Sequence, residues 1–302
     1  MRAYGFTQYG GPDTQQHLDV AVPEPMGGEL RIAVRAAGAN PVDWKIREGL
    51  LGRDGELPVP MGREASGVVT AVGADVEGFA VGDEVFGVVA PGSGAFAEQA
   101  LLTAASAAHR PEGLSWEHAA VLPVAAATAY DALQQLALRR GQTLLVNGIG
   151  GGVGVVAAQL ARDAGVTVVG VSRDDKRHLV ESLGATLVPS GDGVVDAVRA
   201  MLPDGVHAVL DTAGGAALAG VAPLAGSPSA VVTTADPVTA ERLGAQFVQR
   251  SRGRDALDAL AALVIAGKLD PKVVEVRPLG EAEAAVAAVE TGRPHGKVVV
   301  TP

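Results

Sequence analysis

The sequence predicts an α/β protein built in two parts: a doubly wound parallel sheet in the middle of the chain, and a β-rich, barrel-like domain assembled from both ends. Three observations predict it. Residues 1–115 alternate apolar and polar positions over short runs broken by Gly and Pro. Residues 116–266 alternate continuous apolar runs with helical segments, and after residue 267 the short-strand pattern returns. Residues 1–115 and 267–302 therefore form one discontinuous domain, and 116–266 the other. At 302 residues, 48% hydrophobic and 19% charged, the chain suffices for about two domains with sizeable cores.

Each element has its own signal. Leu30, Ile32, Val34 and Ala36 share one face of a strand, and a second alternating run covers 81–89. From Ser115, a helix N-cap residue, an Ala-rich segment reads as one helix to Arg140, stopped by Gly141. Segments 143–146, 167–171, 207–211 and 230–233 are apolar runs of the kind buried on both faces of a parallel sheet, with helices at 153–164 and 176–183 between them. Residues 246–249 read as the last strand of that sheet, whose open edge calls for a partner. Residues 297–300 close the chain as a strand of the first domain.

Composition excludes several classes of function. The chain has no cysteine, which removes disulfides, thiol nucleophiles and thiolate metal sites. A net charge of −10 is the wrong sign for wrapping nucleic acid, and the Arg250, Arg252, Arg254 group is followed by Asp255 and Asp258, as in a solvated loop. No N-terminal apolar segment resembles a signal peptide, and the apolar stretch 119–130 is too short to span a bilayer. A soluble cytoplasmic protein with no nucleic-acid or membrane partner is expected.

The strongest chemical signal is glycine. The chain has 40 Gly, about twice the roughly 7% average share, and seven residues, GIGGGVG at 148–154, run from a strand into a helix. This fits the Rossmann dinucleotide arrangement, the alternative being a purely structural glycine turn: Gly151 lets the backbone approach a pyrophosphate, Gly154 lets helix and strand pack closely, and the helix start offers free N–H groups. Gly151, Gly152, Val153 and Gly154 are the expected cofactor contacts in the turn. After the second strand comes Val171-Ser-Arg-Asp-Asp-Lys-Arg177. An NAD site places an acid there to bind the ribose 2′-hydroxyl. Here Ser172 takes that place, and Arg173 and Lys176 are able to pair with a 2′-phosphate, so NADPH is expected over NADH; the alternative is that these are ordinary residues at a helix start, where Asp174 and Asp175 cap the helix and dilute the positive field.

Together with that turn, the motifs ANPVDWKIR (39–47), GREASG (62–67), FAVGDEV (79–85), AAATAY (125–130) and GKVVV (296–300) resemble the zinc-independent quinone oxidoreductase family (zeta-crystallin-like) of the medium-chain dehydrogenase/reductase superfamily, over nearly the whole chain. The resemblance implies a GroES-like β-barrel domain, a Rossmann domain inserted within it, NADPH as cofactor, and commonly a homodimer. In zinc-dependent relatives three ligands hold the metal; the corresponding positions here are Asn40, Arg63 and Val124, which supply a poor ligand, a fixed cation and no donor. His17, His109, His118, His178, His207 and His295 show no ligand spacing. No metal is expected, and hydride transfer from NADPH to a quinone or a conjugated enone is.

The resemblance points to Asn40, Thr128 and Lys297, and the residues themselves add Trp44 and Arg63. Asn40 makes a polar contact at the reacting centre or caps its own loop before Pro41, and Thr128 contacts the nicotinamide end or bonds its own helix. Lys297 of the terminal Gly-Lys lies near the cofactor or simply ends a strand. Trp44 is a lid over substrate or a core aromatic. Arg63 holds an anionic substrate or pairs with Glu64, Asp43 or another carboxylate. Three departures stand out: Ile149 replaces a small residue in the turn, no Tyr stands near Ser190 and Gly191, and Leu51 replaces the Tyr of enoyl-reducing relatives. The alternative to an enzyme is a non-catalytic NADPH-binding structural or sensor protein; within enzymes it is an enoyl reductase.

Overall fold

The computed structural model describes every residue except Asp54 and Arg252; of the arginine group noted above, Arg252 therefore lies outside the described residues. The chain divides into two compact units: Met1–Val124, Arg252–Ala266 and Val273–Pro302 form the first, Ala125–Ser251 and Gly267–Lys272 the second.

The first unit opens with β1 (Arg2–Phe6), β2 (Gln15–Asp19), β3 (Glu29–Ala39), α1 (Pro41–Arg47), β4 (Val59–Pro60), β5 (Glu64–Val72), β6 (Glu84–Val89), β7 (Gln99–His109) and α2 (Trp116–Ala120). β1, β2 and β4 make a separate antiparallel sheet. β3 pairs with β5, β5 with β6, β6 with β7, and β7 again with β3, so these strands close into a small barrel. Leu30, Ile32 and Val34 point into its core with Tyr4, Phe6, Phe96 and Leu102. The run expected from residue 81 begins only at Glu84. Ahead of it residues 80–83 turn, with the Ala80 N–H held by Asp83, and Val81 is exposed.

The Ala-rich segment is not one helix. Ser115 does cap α2, its hydroxyl accepting from the His118 N–H, but a wide π-helical turn, Leu122–Ala126, interrupts the chain before α3 (Ala127–Leu136). Two causes coincide. Pro123 has no N–H to give, and the Val124 N–H donates to the Glu64 carboxylate at 2.7 Å. The helix then ends at Leu136 with Ala137 in the left-handed region, ahead of Gly141.

The second unit continues with β8 (Thr143–Asn147), α4 (Gly152–Asp163), β9 (Thr167–Ser172), α5 (Arg177–Ser182), β10 (Thr186–Pro189), α6 (Val194–Met201), β11 (Ala208–Asp211), α7 (Gly215–Val221), β12 (Val231–Thr233), α8 (Pro237–Leu243) and β13 (Gln246–Phe247). All its strand pairs are parallel, in the order β10-β9-β8-β11-β12-β13. This is the doubly wound order, reversing between β8 and β11. The edge at β13 is shorter than expected, and Gln135 covers part of it, donating to the Phe247 carbonyl and accepting from the Gln249 N–H.

The chain then forms α9 (Arg254–Ile265), β14 (Val273–Pro278), α10 (Ala282–Glu290) and β15 (Lys297–Thr301). β15 pairs parallel with β14 and antiparallel with β3. The division differs from 116–266. α2 belongs to the first unit, and so does α9, whose Arg254 lies over the Phe79 ring and donates to the Ala107 carbonyl. Residues 267–272 belong to the second unit, where the Gln159 amide pairs with the backbone N–H and carbonyl of Asp270. Among the described residues no helix is long and apolar enough to cross a membrane.

Arg47 ties α1 to its surroundings. Fully buried, it bonds both Glu290 oxygens at 3.2 Å, Gln15 at 3.1 Å and the Gly10 carbonyl at 3.1 Å. Arg47→Ala strips partners from all of these, and urea unfolding is expected to register a loss of about 2–4 kcal/mol; a loss below about 1 kcal/mol would show that the surroundings close over the gap.

Candidate active site

In the first unit, a buried polar cluster forms where β3 ends and α1 begins. Asn40 lies at that junction, Glu64 opens β5 and Lys297 opens β15. The Lys297 ammonium donates to the Ala39 carbonyl at 3.1 Å, Asn40 Oδ1 at 2.6 Å and Glu64 Oε1 at 2.9 Å. Asn40 Nδ2 donates to Glu64 Oε1 at 2.7 Å and to the Gly38 carbonyl at 3.3 Å, and Glu64 Oε2 accepts from the Val124 N–H. The neighbours fix the amide's orientation, because a flip would set its oxygen against a carboxylate and its NH2 against an ammonium. Asn40 therefore has both N–H bonds committed and keeps only an acceptor lone pair. Lys297 likewise spends three donors inside the unit.

Asp43, in the first turn of α1, accepts the Asn40 N–H on Oδ2 at 2.8 Å, while its buried Oδ1 has no hydrogen-bond partner. Burial pushes its carboxyl up to about 7; the Asn40 N–H, Lys297 and Arg63 pull the other way, and Glu64 adds to the rise. Trp44 packs against the barrel core, with its buried indole N–H lacking a hydrogen-bond partner. Arg63 donates to the Val89 and Ser93 carbonyls. Among the described residues no group of three or more His, Asp or Glu is placed to hold a metal.

In the second unit, the turn 148–154 leads from β8 into α4. A Cβ on Gly154 would lie 2.5 Å from Ile149 Cα, so helix and turn touch backbone to backbone. Ile149 is accommodated by Gly170 of β9, whose absent side chain leaves room for the isoleucine. At Gly151 an added Cβ would meet only the Gly148 carbonyl, at 3.4 Å. The chain's own packing does not fill that position, which leaves room for a bound group. Ser172, at the end of β9, and Lys176 converge on Gly150: a Cβ there would lie 2.7 Å from Ser172 Oγ and 2.4 Å from Lys176 Cδ, and the Lys176 ammonium donates to the Gly150 carbonyl at 3.0 Å. Burial, with Arg173 nearby, lowers the Lys176 pKa. Arg173 is half-exposed and bridged to Asp175, and Asp174 pairs with Arg177. Thr128 is buried in the first turn of α3.

One buried group escaped the sequence reading. Asp211 ends β11 and accepts four hydrogen bonds: from Asn147 Nδ2 and Thr233 Oγ1 at 2.7 Å, the Gly214 N–H at 2.9 Å and the Ala213 N–H at 3.2 Å. The signal available was a polar residue at each of three strand ends, Asn147, Asp211 and Thr233, that parallel register sets side by side.

Asp43 yields a testable sign. It binds its proton more tightly in the folded protein than in the unfolded chain, where Asp titrates near about 3.9, so its contribution to stability falls as the pH rises through that window toward the folded value of about 7. Asp43→Asn removes the dependence. Urea unfolding is expected to show the variant gaining on the native protein between about pH 4 and about pH 7, and a constant difference would refute the shift.

Comparison with known proteins agrees with this geometry. A family model described as Alcohol dehydrogenase GroES-like domain matches residues 26–112, the stretch holding the closed barrel, and one described as Zinc-binding dehydrogenase matches 183–300. The chain is 34% identical, over a 318-residue alignment covering 100% of it and 79% of the relative, to 2-methylene-furan-3-one reductase of Solanum lycopersicum. The structure of the quinone oxidoreductase from Coxiella burnetii superposes with a TM-score of 0.90 at 29% identity, covering 100% of this chain and 99% of that one. A mycobacterial protein solved complexed with NADPH gives a TM-score of 0.89 at 28% identity over 100% of both chains. With its GroES-like barrel and Rossmann sheet, the chain belongs to the zinc-independent quinone oxidoreductase family of the medium-chain dehydrogenase/reductase superfamily, a family of nicotinamide-dependent oxidoreductases.

Proposed function

We propose that the protein reduces quinones or conjugated enones with NADPH and without a metal ion. The observation that carries the cofactor choice is the convergence of Ser172 and the buried Lys176 ammonium on Gly150, beside the glycine turn. Ser172 rather than an acid ends β9, Asp174 and Asp175 beyond it are engaged by Arg177 and Arg173, and a phosphate anion beside Lys176 would offset the burial that depresses its pKa. The room at Gly151 and the N–H groups of Gly152 and Val153 at the start of α4 fit a pyrophosphate. When bound, the dinucleotide supplies a hydride from its nicotinamide C4.

The residues of the chain bind and orient. Asn40 offers an acceptor and no free N–H, so it suits a ligand donor such as a hydroxyl or carboxamide and is unsuited to an oxyanion. Thr128 is the polar group expected toward the nicotinamide. An acceptor whose reduced form is already a stabilised anion asks least of such a protein. A hydroquinone, like a phenol, has a pKa near about 10 and takes its proton from water, whereas a simple ketone would need a Lewis acid or a strong donor. Arg63, Val124 and Asn40 do not supply the ligands for such a metal.

Two measurements test the reading. Mixed with NADPH and 9,10-phenanthrenequinone, 1,4-benzoquinone or an enone, the protein is expected to drive loss of the reduced-nicotinamide absorbance, unaffected by a chelator. Tight NADPH binding without turnover would replace this reading by a non-catalytic binding protein. Lys176→Met is expected to weaken NADPH about tenfold while leaving NADH within about twofold; equal losses would overturn the cofactor choice.

A further inference from the structure

Asp211 is a buried carboxylate that the proposed mechanism leaves unused. It is fully buried at the carboxyl end of β11, on the far side of the strand-order reversal from β9 and Ser172. Its donors are two backbone N–H groups, an amide and a hydroxyl, all neutral. The site in the first unit is built differently, with Glu64 facing the Lys297 ammonium. Four hydrogen bonds fill the acceptor valence of an ionised carboxylate and fix its position, but neutral donors do not cancel its charge.

The loop that follows Asp211 is tied to the glycine turn. Thr212 Oγ1 donates to the Asn147 carbonyl at 3.0 Å and lies 3.3 Å from the Gly148 carbonyl. In a doubly wound sheet a dinucleotide crosses the carboxyl ends of the strands at the order reversal, one nucleotide on each side. With the 2′-phosphate end at Ser172 and Lys176, the β11–β12 side receives the nicotinamide half.

We infer that the Asp211 carboxylate, held in place by Asn147, Thr233 and the 213–214 backbone, biases the site toward the oxidised, positively charged nicotinamide and thereby favours hydride release. The inference rests on the nicotinamide reading given under Proposed function. Hydride transfer moves two electrons and one hydrogen to the quinone or enone. The nicotinamide goes from neutral to a charge of plus one, and the reduced acceptor takes its proton from water. A fixed negative charge near the ring lowers the energy of the charged side of that step. Asp211 acts through its field as a positioning residue and touches no reacting atom.

The test is the ratio of dissociation constants for NADP+ and NADPH, measured by titration calorimetry at about pH 8. Asp211→Asn keeps the shape and removes the charge, and is expected to raise the NADP+/NADPH ratio of Kd about three- to tenfold. Thr233→Val removes one compensating donor and leaves the carboxylate, and is expected to shift the ratio in the opposite direction. A role confined to loop positioning predicts that each variant weakens both forms equally, and that result overturns the inference. Should Asp211→Asn fail to fold, Thr233→Val decides alone: a lowered ratio supports the inference, and an unchanged or raised one refutes it. Native protein that binds neither form sinks the nicotinamide reading first, and the inference with it.

Discussion

Burying Lys297 against Glu64 is the constraint on which the first unit depends. Each charge alone would be costly to remove from water, and their mutual attraction offsets this only where the remaining donors and acceptors are also met. Here they are met by neighbours from separate parts of the chain: the Ala39 carbonyl, both ends of the Asn40 amide and the Val124 N–H. The pair thereby sets the end of β3, the orientation of Asn40, the start of α1 beside Asp43 and the break between α2 and α3. Replacing any one partner leaves the rest with an unmet charge or dipole.

The two units handle a buried carboxylate in opposite ways. Glu64 is neutralised by an ammonium 2.9 Å away, so little of its field reaches beyond the cluster. Asp211 is held by neutral groups, so it is fixed without being cancelled. The first arrangement serves rigidity, and the second leaves a standing potential at the strand ends, where an open doubly wound sheet receives its ligand.

Much of this was legible in the sequence because it is local. Five of the six parallel strands fall within two residues of the runs read for them, as at β8 and β9, while β10 (Thr186–Pro189) had no run of its own, and the glycine turn lies between β8 and β9 as its spacing demands. What escaped depends on partners distant in the chain. Pro123 marks a weak point in the Ala-rich segment, but the π-helical turn takes its shape with a carboxylate sixty residues away. The pattern of α9 announces a helix without naming its neighbour, and Arg254 on Phe79 assigns it to the first unit. Asn40, Lys297 and Glu64 each sit in a motif, yet that the amide would be pinned between opposite charges is a fact of three dimensions. Asp211 was missed because a single acid at the end of an apolar strand resembles any turn residue.

The chain distance between the paired charges also orders the birth of the molecule. Glu64 leaves the ribosome 233 residues before Lys297, which at typical synthesis rates is an interval on the order of tens of seconds. Through that interval the carboxylate must stay hydrated, and β3 lacks its β15 neighbour. The residues of the parallel sheet are all made meanwhile, so the nucleotide half is free to assemble while the barrel half still waits for the last strand to bring its cation.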